Sequence, residues 1–390
     1  MNCRVMFYVQ HLLGIGHLKR AALLADGLLD AGIDVCVVLG GRNVPEISFE
    51  GCSRVLLPPV HAADATFKLL LDEDGRPIDD AWRDRRAARL LSEYQSLQPD
   101  ALLIELFPFG RRMFAFELMP LLDLARSARR RPRILCSLRD ILVPSSRPER
   151  DARAIACARM YFDQVLVHGD PRLVPIEASF PPIAGIADKL LYTGYVAAEA
   201  AAPARPAGSR GAQEGEVIVS VGGGAVGASL LRAALAAKPL CRLAHHPWRL
   251  ITGPNFPAQA LAEADWPPPP GVFVERWRAD LPALLSACAL SISQAGYNTV
   301  MDVLIAGARA VLVPFAEAAE SEQTLRAQLL ERHGRAVVVN PAELSAESLA
   351  AAIDRAMSLI CDPLDINYSG ARTTAQIVEA SCTTAGGDRG

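Results

Sequence analysis

At 390 residues the chain is longer than a single hydrophobic core usually supports, so we expect two domains. Hydrophobic residues make up 51% of the chain and charged residues 21%, proportions that are ordinary for a soluble globular protein. A formal net charge of −3 gives no general attraction to nucleic acid. No apolar run is long enough to span a bilayer, and the polar residues Arg4, Gln10 and His11 interrupt the apolar N-terminus, which reads as a strand and loop.

The nine cysteines are scattered singly, with no C-x-x-C and no histidine-spaced pair. This spacing argues against a zinc site, and we predict no metal site and no cofactor. An odd number of mostly apolar-flanked cysteines is typical of reduced thiols in a cytosolic protein. We therefore expect a cytoplasmic location.

Apolar runs of strand length alternate with helix-length segments through the first half. The segment "HLKRAALLADGLLDAG" predicts the first helix, which ends at Gly32. The strands predicted around it are "RVMFYV", "DVCVVLG", "ALLIELF", "RILCSL", "QVLVHG" and "LLYTGYV". Such α/β alternation predicts a parallel sheet that is covered by helices on both faces.

A segment rich in Ala, Pro and Gly follows Tyr195 and predicts a linker. Beyond it the alternation begins again, with strands predicted at "EVIVSV", "WRLITG", "GVFVERW", "ALSIS", "AVLVPF" and "RAVVVN". The alternation therefore predicts two doubly wound halves joined by a linker. We expect an N-terminal domain at 1–196, a linker at 197–214, a C-terminal domain at 215–364, and a partly helical tail at 365–390 with a disordered end.

The first glycine loop, "HLLGIGHLKR", lies between strand one and helix one. Gly14 and Gly16 let the backbone approach a ligand, and the helix N-terminus favours anions. It is not a dinucleotide motif, because the third glycine would fall at Lys19 and no ribose-binding acid ends strand two. His17 is a candidate general base or phosphate donor, or simply a residue that starts a helix.

The second glycine loop does satisfy G-x-G-x-x-G, from Gly222, Gly223 and Gly224 to Gly227. The acid expected about 20 residues further on in nicotinamide-binding proteins is absent. A nicotinamide cofactor is therefore disfavoured, whereas a diphosphate held by backbone N–H groups fits.

The third segment is "SQAGYNTVMD". Ser293 ends a strand, Gly296 turns the chain, and Asn298 or Thr299 is placed to cap the next helix. Asp302 is then expected in about the first helical turn, where the helix dipole favours a carboxylate. The segment fits a capped helix, and it equally fits a site where the acid takes both hydroxyls of a ribose.

The pattern "S-x-A-G-x-N-T-x-x-D-x-x-x-x-G", followed by "VLVPF" and "E-Q-x-x-R-A", resembles the C-terminal donor-binding signature of family 28 glycosyltransferases. "GIGH" and "GGGAVGAS" match the two glycine loops of that family. The resemblance implies a GT-B fold, in which two Rossmann-like doubly wound domains face each other across a cleft. It also implies inverting, metal-independent transfer from a nucleotide-diphosphate sugar, most commonly a UDP-sugar.

The resemblance also implies roles for individual residues. Gly223, Gly224 and their neighbours would hold the donor diphosphate, and Asp302 stands where the family usually has a ribose-binding glutamate. Glu322 and Gln323 resemble the family's His-Gln pair that faces the donor sugar, with glutamate in place of the histidine. His17 matches the histidine of the N-terminal glycine loop.

Two residues are our main candidates for the catalytic base, His17 and Glu105. Glu105 lies at the carboxyl end of a predicted strand, and it would serve equally well as a structural partner of Arg111 or Arg112. His168 is similarly placed and is a third candidate.

The segment "GRRMFAFELMPLLDLARSARRRPR" contains seven arginines among apolar residues at helical spacing. An amphipathic helix with a basic C-terminal end explains it best, because most of the arginines bunch at that end. The alternative is a patch for a lipid-linked or anionic acceptor, which allows peripheral contact with the inner face of a membrane.

The sequence therefore predicts a hexosyltransferase that moves a hexose or N-acetylhexosamine to the hydroxyl of a small-molecule or lipid-linked acceptor. Two alternatives stay open at this point. One is a nucleotide-sugar epimerase or hydrolase of the same fold, and the other is a non-catalytic nucleotide-sugar binding protein.

Overall fold

The computed structural model of the chain describes residues 3–12, 14–63, 69–197, 215–221, 227–253, 256, 268–278, 280–315 and 322–387. The chain folds into two compact units. The first comprises Met1–Ala197 together with Ile366–Gly390, and the second comprises Ala198–Asp365. Most of the predicted linker lies outside the described residues. We expected residues 383–390 to be disordered, but 383–387 belong to a helix that ends at Gly387, and 388–390 lie outside the described residues.

The first unit is built on a seven-stranded parallel sheet with strand order β3-β2-β1-β6-β7-β8-β9. Its strands, together with a short antiparallel hairpin of β4 and β5, are β1 Arg4–Val9, β2 Asp34–Leu39, β3 Ser53–Leu56, β4 His61–Ala62, β5 Leu70–Leu71, β6 Ala101–Glu105, β7 Arg133–Arg139, β8 Gln164–His168 and β9 Leu190–Tyr192. Its first five helices are α1 Gly16–Asp30, α2 Asp80–Leu97, α3 Ala115–Ser127, α4 Pro148–Tyr161 and α5 Ile176–Ser179. Short 3₁₀ turns occupy Arg112–Phe114 and Pro181–Lys189. All six strands predicted for this half are present, whereas β3, β4 and β5 were not predicted.

Alternate residues of each strand pack on opposite faces of this sheet, as the period of a β-strand requires. On β1, Val5 and Phe7 belong to the core on the α1 face, whereas Met6 and Tyr8 belong to the larger core on the other face. Strand β6 follows the same rule, since Leu103 packs with the α1 face. Glu105 is two residues after Leu103 on the same strand, so its side chain points to the same face of the sheet, the face on which α1 lies.

The second unit is built on a six-stranded parallel sheet with strand order β12-β11-β10-β13-β14-β15. Its strands are β10 Val217–Ser220, β11 Trp248–Ile251, β12 Val272–Glu275, β13 Leu290–Ser293, β14 Ala310–Leu312 and β15 Val337–Val338. Its helices are α6 Ala228–Ala237, α7 Leu281–Ala287, α8 Tyr297–Ile305, α9 Glu322–Arg332 and α10 Ala346–Ala356, with 3₁₀ turns at Lys238–Leu240 and Pro341–Glu343. The six strands correspond to the six predicted segments. Each unit thus has a parallel sheet with helices packed on it, as the alternating pattern of the sequence predicts.

The last helix, α11 (Gly370–Gly387), returns to the first unit and packs on α1. The sequence predicted only a partly helical tail here and assigned it no partner. Side chains of α11, among them Ala375 and Val378, are buried in the core on the α1 face. A disulfide between Cys3 and Cys382 joins the start of the first unit to this helix. Our expectation of reduced thiols is therefore wrong for this pair, because folding brings together two cysteines that are 379 residues apart in the sequence.

None of the helices within the described ranges is long and apolar enough to cross a membrane.

Helix α11 approaches α1 closely at Gly27. A Cβ atom at this position would lie 2.9 Å from the Cβ and 3.0 Å from the backbone carbon of Ala371. In an open helix, Gly→Ala is expected to add about 1 kcal/mol of stability through helix propensity. Here we expect Gly27→Ala to lower the melting temperature, because overpacking typically costs about 1–3 kcal/mol and the neighbouring atoms include backbone.

Thermal unfolding followed by circular dichroism measures this change. A melting temperature equal to or above that of the wild type would show that α11 does not pack tightly on α1 at this point.

Candidate functional site

Each sheet has one point at which the strand order reverses, and several of the candidate residues lie at these two points. In the first unit the reversal falls between β1 and β6, and in the second it falls between β10 and β13. Loops that leave the carboxyl ends of such neighbouring strands diverge, and the crevice between them is where open α/β sheets bind ligands. The first glycine loop follows β1 and Glu105 ends β6, while Ser293 ends β13 and the second glycine loop follows β10.

The structure brings His17 and Glu105 into contact. Nδ1 of His17 lies 2.6 Å from Oε1 of Glu105, although the two residues are 88 positions apart in the sequence. Register explains the meeting, because β1 and β6 are parallel neighbours and α1 starts shortly after β1. The two candidates for the base are therefore one hydrogen-bonded pair and not alternatives.

A third residue, Arg20, completes this cluster. Its Nη2 atom lies 2.5 Å from the same Oε1 atom of Glu105 and 3.2 Å from Nδ1 of His17. The side chains of Arg20 and Glu105 are 3% and 1% exposed, whereas that of His17 is 17% exposed. Of the three, the histidine therefore presents the most surface to solvent.

Electrostatics fixes the protonation of the pair. Burial by itself raises the pKa of Glu105, but His17, Arg20 and Arg111 outweigh it and hold the pKa at about 2. Burial lowers the pKa of His17 to about 4, against the opposing pull of Glu105. At neutral pH the carboxylate is therefore ionised and the imidazole is neutral.

These charges determine which ring nitrogen of His17 carries the proton. An ionised carboxylate only accepts hydrogen bonds, so the Nδ1 atom facing Glu105 must be the donor. The lone pair of the neutral ring is then on Nε2. The arrangement is that of a general base oriented by a carboxylate.

The other basic candidates in this unit have different partners. His168 is fully buried, with Nε2 2.9 Å from Oγ of Ser137 and Nδ1 2.9 Å from Oγ1 of Thr193. Burial lowers its pKa to about 3. Both ring nitrogens contact hydroxyls in the interior, which makes His168 a structural residue.

The two arginines after β6, Arg111 and Arg112, also have different partners. Arg112 pairs with Asp151 and not with Glu105. Arg111, held at a φ of 56°, donates from Nε to the carbonyl oxygen of Gln10 at 2.8 Å. Its charge still lowers the pKa values of His17 and Glu105.

Two glycines of the candidate loops have open space around them. A Cβ atom at Gly14 or at Gly296 would meet no described atom within 4 Å, and neither residue needs a positive φ. Gly16 is exposed and is the first residue of α1, where no side chain caps the helix. Packing among the described residues therefore does not explain the glycines at positions 14 and 296, which leaves room for a bound group.

In the second unit, Ser293 is the last residue of β13 and pairs with Ser220 of β10. Its side chain is buried, and its hydroxyl has no hydrogen-bond partner among the described residues. Gly222, Gly223 and Gly224 of the adjacent loop lie outside the described residues.

The start of α8 corrects two predictions. Gly296 is the N-cap residue, with ψ at 148°, so Asn298 and Thr299 are the second and third helical residues and do not cap the helix. No side chain makes a cap hydrogen bond. Asp302 is consequently the sixth residue of α8 and lies in its second turn, not its first, where it is 7% exposed. The extended conformation of Gly296 starts the helix earlier than the polar residues suggested.

Glu322 and Gln323 are the first two residues of α9, and each is fixed by a specific contact. Oε1 of Glu322 accepts a hydrogen bond from Nη2 of Arg326 at 2.7 Å, and the other end of that guanidinium donates to the carbonyl oxygen of Ala295 at 2.9 Å. Gln323 accepts the backbone N–H of Phe315 at 3.0 Å. The N-termini of α8 and α9 are thereby tied together at the carboxyl edge of the sheet.

Sequence reasoning assigned no role to Arg20 or to Arg326, although Arg326 is the arginine of the "E-Q-x-x-R-A" pattern. Both were visible as spacings, because Arg20 is one helical turn after His17 and Arg326 is one turn after Glu322. Neither spacing shows that the arginine is buried. Among the described residues no group of three or more His, Cys, Asp or Glu side chains is placed to hold a metal ion.

Comparison with known proteins agrees with this architecture. Residues 218–375 match the glycosyltransferase family 28 C-terminal domain, so this part of the chain is similar to that domain. The resemblance inferred from the motifs is confirmed.

Several bacterial relatives are named UDP-N-acetylglucosamine--N-acetylmuramyl-(pentapeptide) pyrophosphoryl-undecaprenol N-acetylglucosamine transferase. That of Thiobacillus denitrificans is 36% identical over 162 residues, which cover 39% of this chain and 43% of the relative. That of Solibacter usitatus is 44% identical over 69 residues, which cover 18% of this chain and 19% of the relative. The chain thus matches less than half the length of these curated relatives.

Solved structures show the same fold over nearly the whole chain. The calicheamicin glycosyltransferase CalG4 aligns with a TM-score of 0.59 and 16% identity over 99% of this chain and 96% of its own. MurG of Acinetobacter baumannii aligns with a TM-score of 0.56 and 16% identity over 98% of both chains. SsfS6 of Streptomyces sp. SF2575, in complex with thymidine diphosphate, aligns with a TM-score of 0.57 and 16% identity over 98% of this chain and 96% of its own. The fold is GT-B, with two Rossmann-like domains, as predicted.

The protonation of the His17–Glu105 pair can be tested by NMR. We expect His17 to stay neutral from pH 8 to about pH 5, because its pKa is about 4 instead of the usual 6.5. Since the folded-state pKa is depressed, the contribution of this group to stability is complete above pH 6.5 and is lost as the pH falls toward 4. Glu105→Gln removes the charge that raises the His17 pKa, so the pKa should fall further.

Titration of ¹⁵N-histidine-labelled protein provides the measurement, with His17 assigned by substitution. Glu93→Gln, on the partly exposed surface of α2, is the matched control and should leave the titration unchanged. A wild-type pKa near 6.5 would contradict the buried pair.

Proposed function

We propose that the protein is an inverting, metal-independent glycosyltransferase. It would move a hexose or N-acetylhexosamine from a nucleotide-diphosphate sugar, with UDP as the expected nucleotide, to an acceptor hydroxyl. The observation that carries the proposal is the His17–Glu105 pair at the switch point of the first unit, in a chain whose residues 218–375 match the family 28 C-terminal domain.

In this reaction the neutral His17 is the base. Its Nε2 lone pair removes the proton of the acceptor hydroxyl as the oxygen attacks the anomeric carbon of the donor. The bond between that carbon and the diphosphate oxygen breaks on the opposite side, and the configuration inverts. Glu105 accepts the Nδ1 hydrogen bond and stabilises the imidazolium that forms.

The leaving diphosphate takes up negative charge as the bond breaks. We assign its binding to the backbone N–H groups of the second glycine loop and the N-terminus of α8, together with the buried Ser293 hydroxyl. The open space at Gly296 supports this assignment, because a backbone approached by phosphate oxygens requires a residue without a Cβ.

Asp302, Glu322 and Gln323 are assigned to the rest of the donor. Asp302 would take the ribose hydroxyls, as its place in the family pattern implies. Gln323 keeps its side-chain NH₂ for a ligand, since its oxygen is occupied by Phe315. Glu322 is tied to Arg326, so we assign it to shaping the sugar site and expect its bond with the arginine to persist when donor binds.

The acceptor is proposed by analogy with the relatives, whose name includes a pyrophosphoryl-undecaprenol lipid. A lipid-linked acceptor would place the protein in the cytoplasm with peripheral contact to the membrane. Gly14, Gly16 and the N-terminus of α1, where the N-cap residue Ile15 makes no side-chain cap hydrogen bond, are the groups that would face an anionic part of that acceptor.

The donor assignment can be tested by binding. A panel of UDP, dTDP, GDP, CDP, ADP and NAD(P) should give one nucleoside diphosphate that raises the melting temperature, since a ligand at 100 times its Kd adds about 2.7 kcal/mol. For that nucleotide, Asp302→Ala should weaken binding by about 1–3 kcal/mol, the cost of leaving buried polar groups without a partner. Titration calorimetry measures the difference.

Glu347→Ala, at an exposed position of the second unit, is the control and should bind like the wild type. Unchanged affinity in Asp302→Ala would remove Asp302 from the site, and stabilisation by NAD(P) alone would overturn the proposed function.

The catalytic assignment can be tested by turnover. His17→Ala should lower kcat by about 10²–10⁴-fold, the usual contribution of general base catalysis, while nucleotide affinity stays unchanged. Nucleoside diphosphate released from UDP-sugars, with and without alcohol and lipid acceptors, provides the assay. Release at the same rate without acceptor would instead indicate a hydrolase. Conversion of the UDP-sugar without net release of nucleoside diphosphate would indicate an epimerase, and binding without any turnover would indicate a binding protein.

A further inference from the structure

Arg20 is the least expected member of the cluster in the first unit. It is on the inner face of α1 and is 2% exposed, in a position where an unpaired guanidinium would be costly. Its Nη2 atom meets the same carboxylate oxygen that accepts the His17 proton. The other carboxylate oxygen of Glu105, Oε2, is buried and has no hydrogen-bond partner among the described residues. Within the described part of the chain, His17 and Arg20 are therefore the side chains that orient this carboxylate.

We propose that Arg20 is a positioning residue of the His17–Glu105 pair: its guanidinium holds the Glu105 carboxylate ionised and oriented toward Nδ1, so that Nε2 of His17 is kept as the free base. The role of Nε2 as base rests on the proposed function, whereas the effect of Arg20 on the pair does not. Arg20 touches neither reactant in this scheme and acts through Glu105.

The argument follows from the protonation states that the pair can adopt. With Glu105 ionised and His17 neutral, the pair has a net charge of −1 and Nε2 is free. Addition of one proton gives either an imidazolium beside a carboxylate or a carboxylic acid that donates to Nδ1. Nε2 carries a proton in both of these states. A positive charge beside Glu105 stabilises the state with net charge −1, in which Nε2 is free, relative to both states that carry the additional proton.

Other charged and titratable groups face the cluster as well. Arg111, from the loop after β6, lowers the pKa values of both members, and it is itself influenced by Arg139 and Tyr8. From β7 and β8, Cys136 and His168 lie within the electrostatic influence of Glu105. Arg20 differs from Arg111 in geometry, since it donates directly to the Glu105 oxygen whereas the Nε of Arg111 donates to a backbone carbonyl.

The experiment compares Arg20→Met and Arg20→Lys with the wild type by NMR of ¹⁵N-histidine-labelled protein. Arg20→Met retains most of the apolar stem and removes the charge. We expect the pH at which Nε2 of His17 takes up a proton to rise by about 1 unit or more, because an opposite charge at this distance typically shifts a carboxylate by about 1–3 units. Arg20→Lys retains the charge but loses the planar donor group, so its shift should be upward and smaller.

Lys19→Met is the matched control, because it removes one positive charge from the same turn of α1. It should leave the His17 titration within about 0.3 unit of the wild type, the change expected for a partly exposed charge that is screened by solvent. A purely structural role for Arg20 would lower the melting temperature without moving the titration or the tautomer. If Arg20→Met does not fold, the comparison of Arg20→Lys with the wild type decides the question on its own.

Unchanged protonation of His17 in the folded Arg20 variants would overturn the proposal. An upward shift supports it, even if the wild-type protein binds no nucleoside diphosphate, and in that case only the proposed function fails. Where turnover is measurable, the acid limb of kcat/KM should move upward by the same interval in Arg20→Met. For a shift of about 1 unit the variant should lose about half of its relative activity at pH 5, for a shift of about 2 units about 10-fold, and in both cases it should recover its activity at high pH.

Discussion

Burying the Glu105 carboxylate at the end of a central strand is the constraint on which the candidate site depends. An ionised carboxylate without partners would be expensive in this interior, so the fold must supply positive charge and donors at that point. It does so from α1, which begins beside the strand end and presents His17 and Arg20 to one carboxylate oxygen. The same contacts that make the buried charge tolerable also set the tautomer of the histidine. Stability and chemistry are therefore properties of a single arrangement.

A second buried charge network supports the first from the other face of the sheet. Arg86 of α2 binds Glu117 of α3 through Nε at 2.7 Å, and it reaches the side chain of Gln10, just beyond β1, at 2.6 Å. Tyr8 of β1 donates to the same glutamate at 2.5 Å. Removing one member of such a buried pair typically costs about 3–5 kcal/mol. The network thus anchors the segment that leads into the first glycine loop, and Gly40 is required beside it because a Cβ there would overlap the side chains of Gln10 and Arg86.

The C-terminal helix, α11, packs on α1 and so holds the helix that carries His17 in place. α1 is covered on its outer side by α11, which approaches at Gly27 and is joined to the start of the chain by the Cys3–Cys382 disulfide. The first unit is consequently built from both ends of the chain. In the second unit, Arg326 has a comparable tying function, since it links Glu322 to the carbonyl oxygen of Ala295 just before α8. In both units an arginine one turn into a helix fixes a glutamate at the carboxyl edge of the sheet.

The sequence by itself determined twelve of the thirteen strands in the two parallel sheets, the two α/β units and the GT-B resemblance, because apolar periodicity and glycine loops are local signals. It also placed His17 at the start of the first helix and Glu105 at a strand end, as separate candidates. Only the tertiary structure decided that they form one pair, since 88 residues separate them and their contact depends on strand order and register. The same holds for the burial of Arg20, the N-cap at Gly296 that moves Asp302 into the second turn, and the return of α11 to α1. Whether a side chain is buried, and which residue pairs with a charged group, depend on packing between segments that are distant in the sequence. A local sequence pattern therefore cannot predict them.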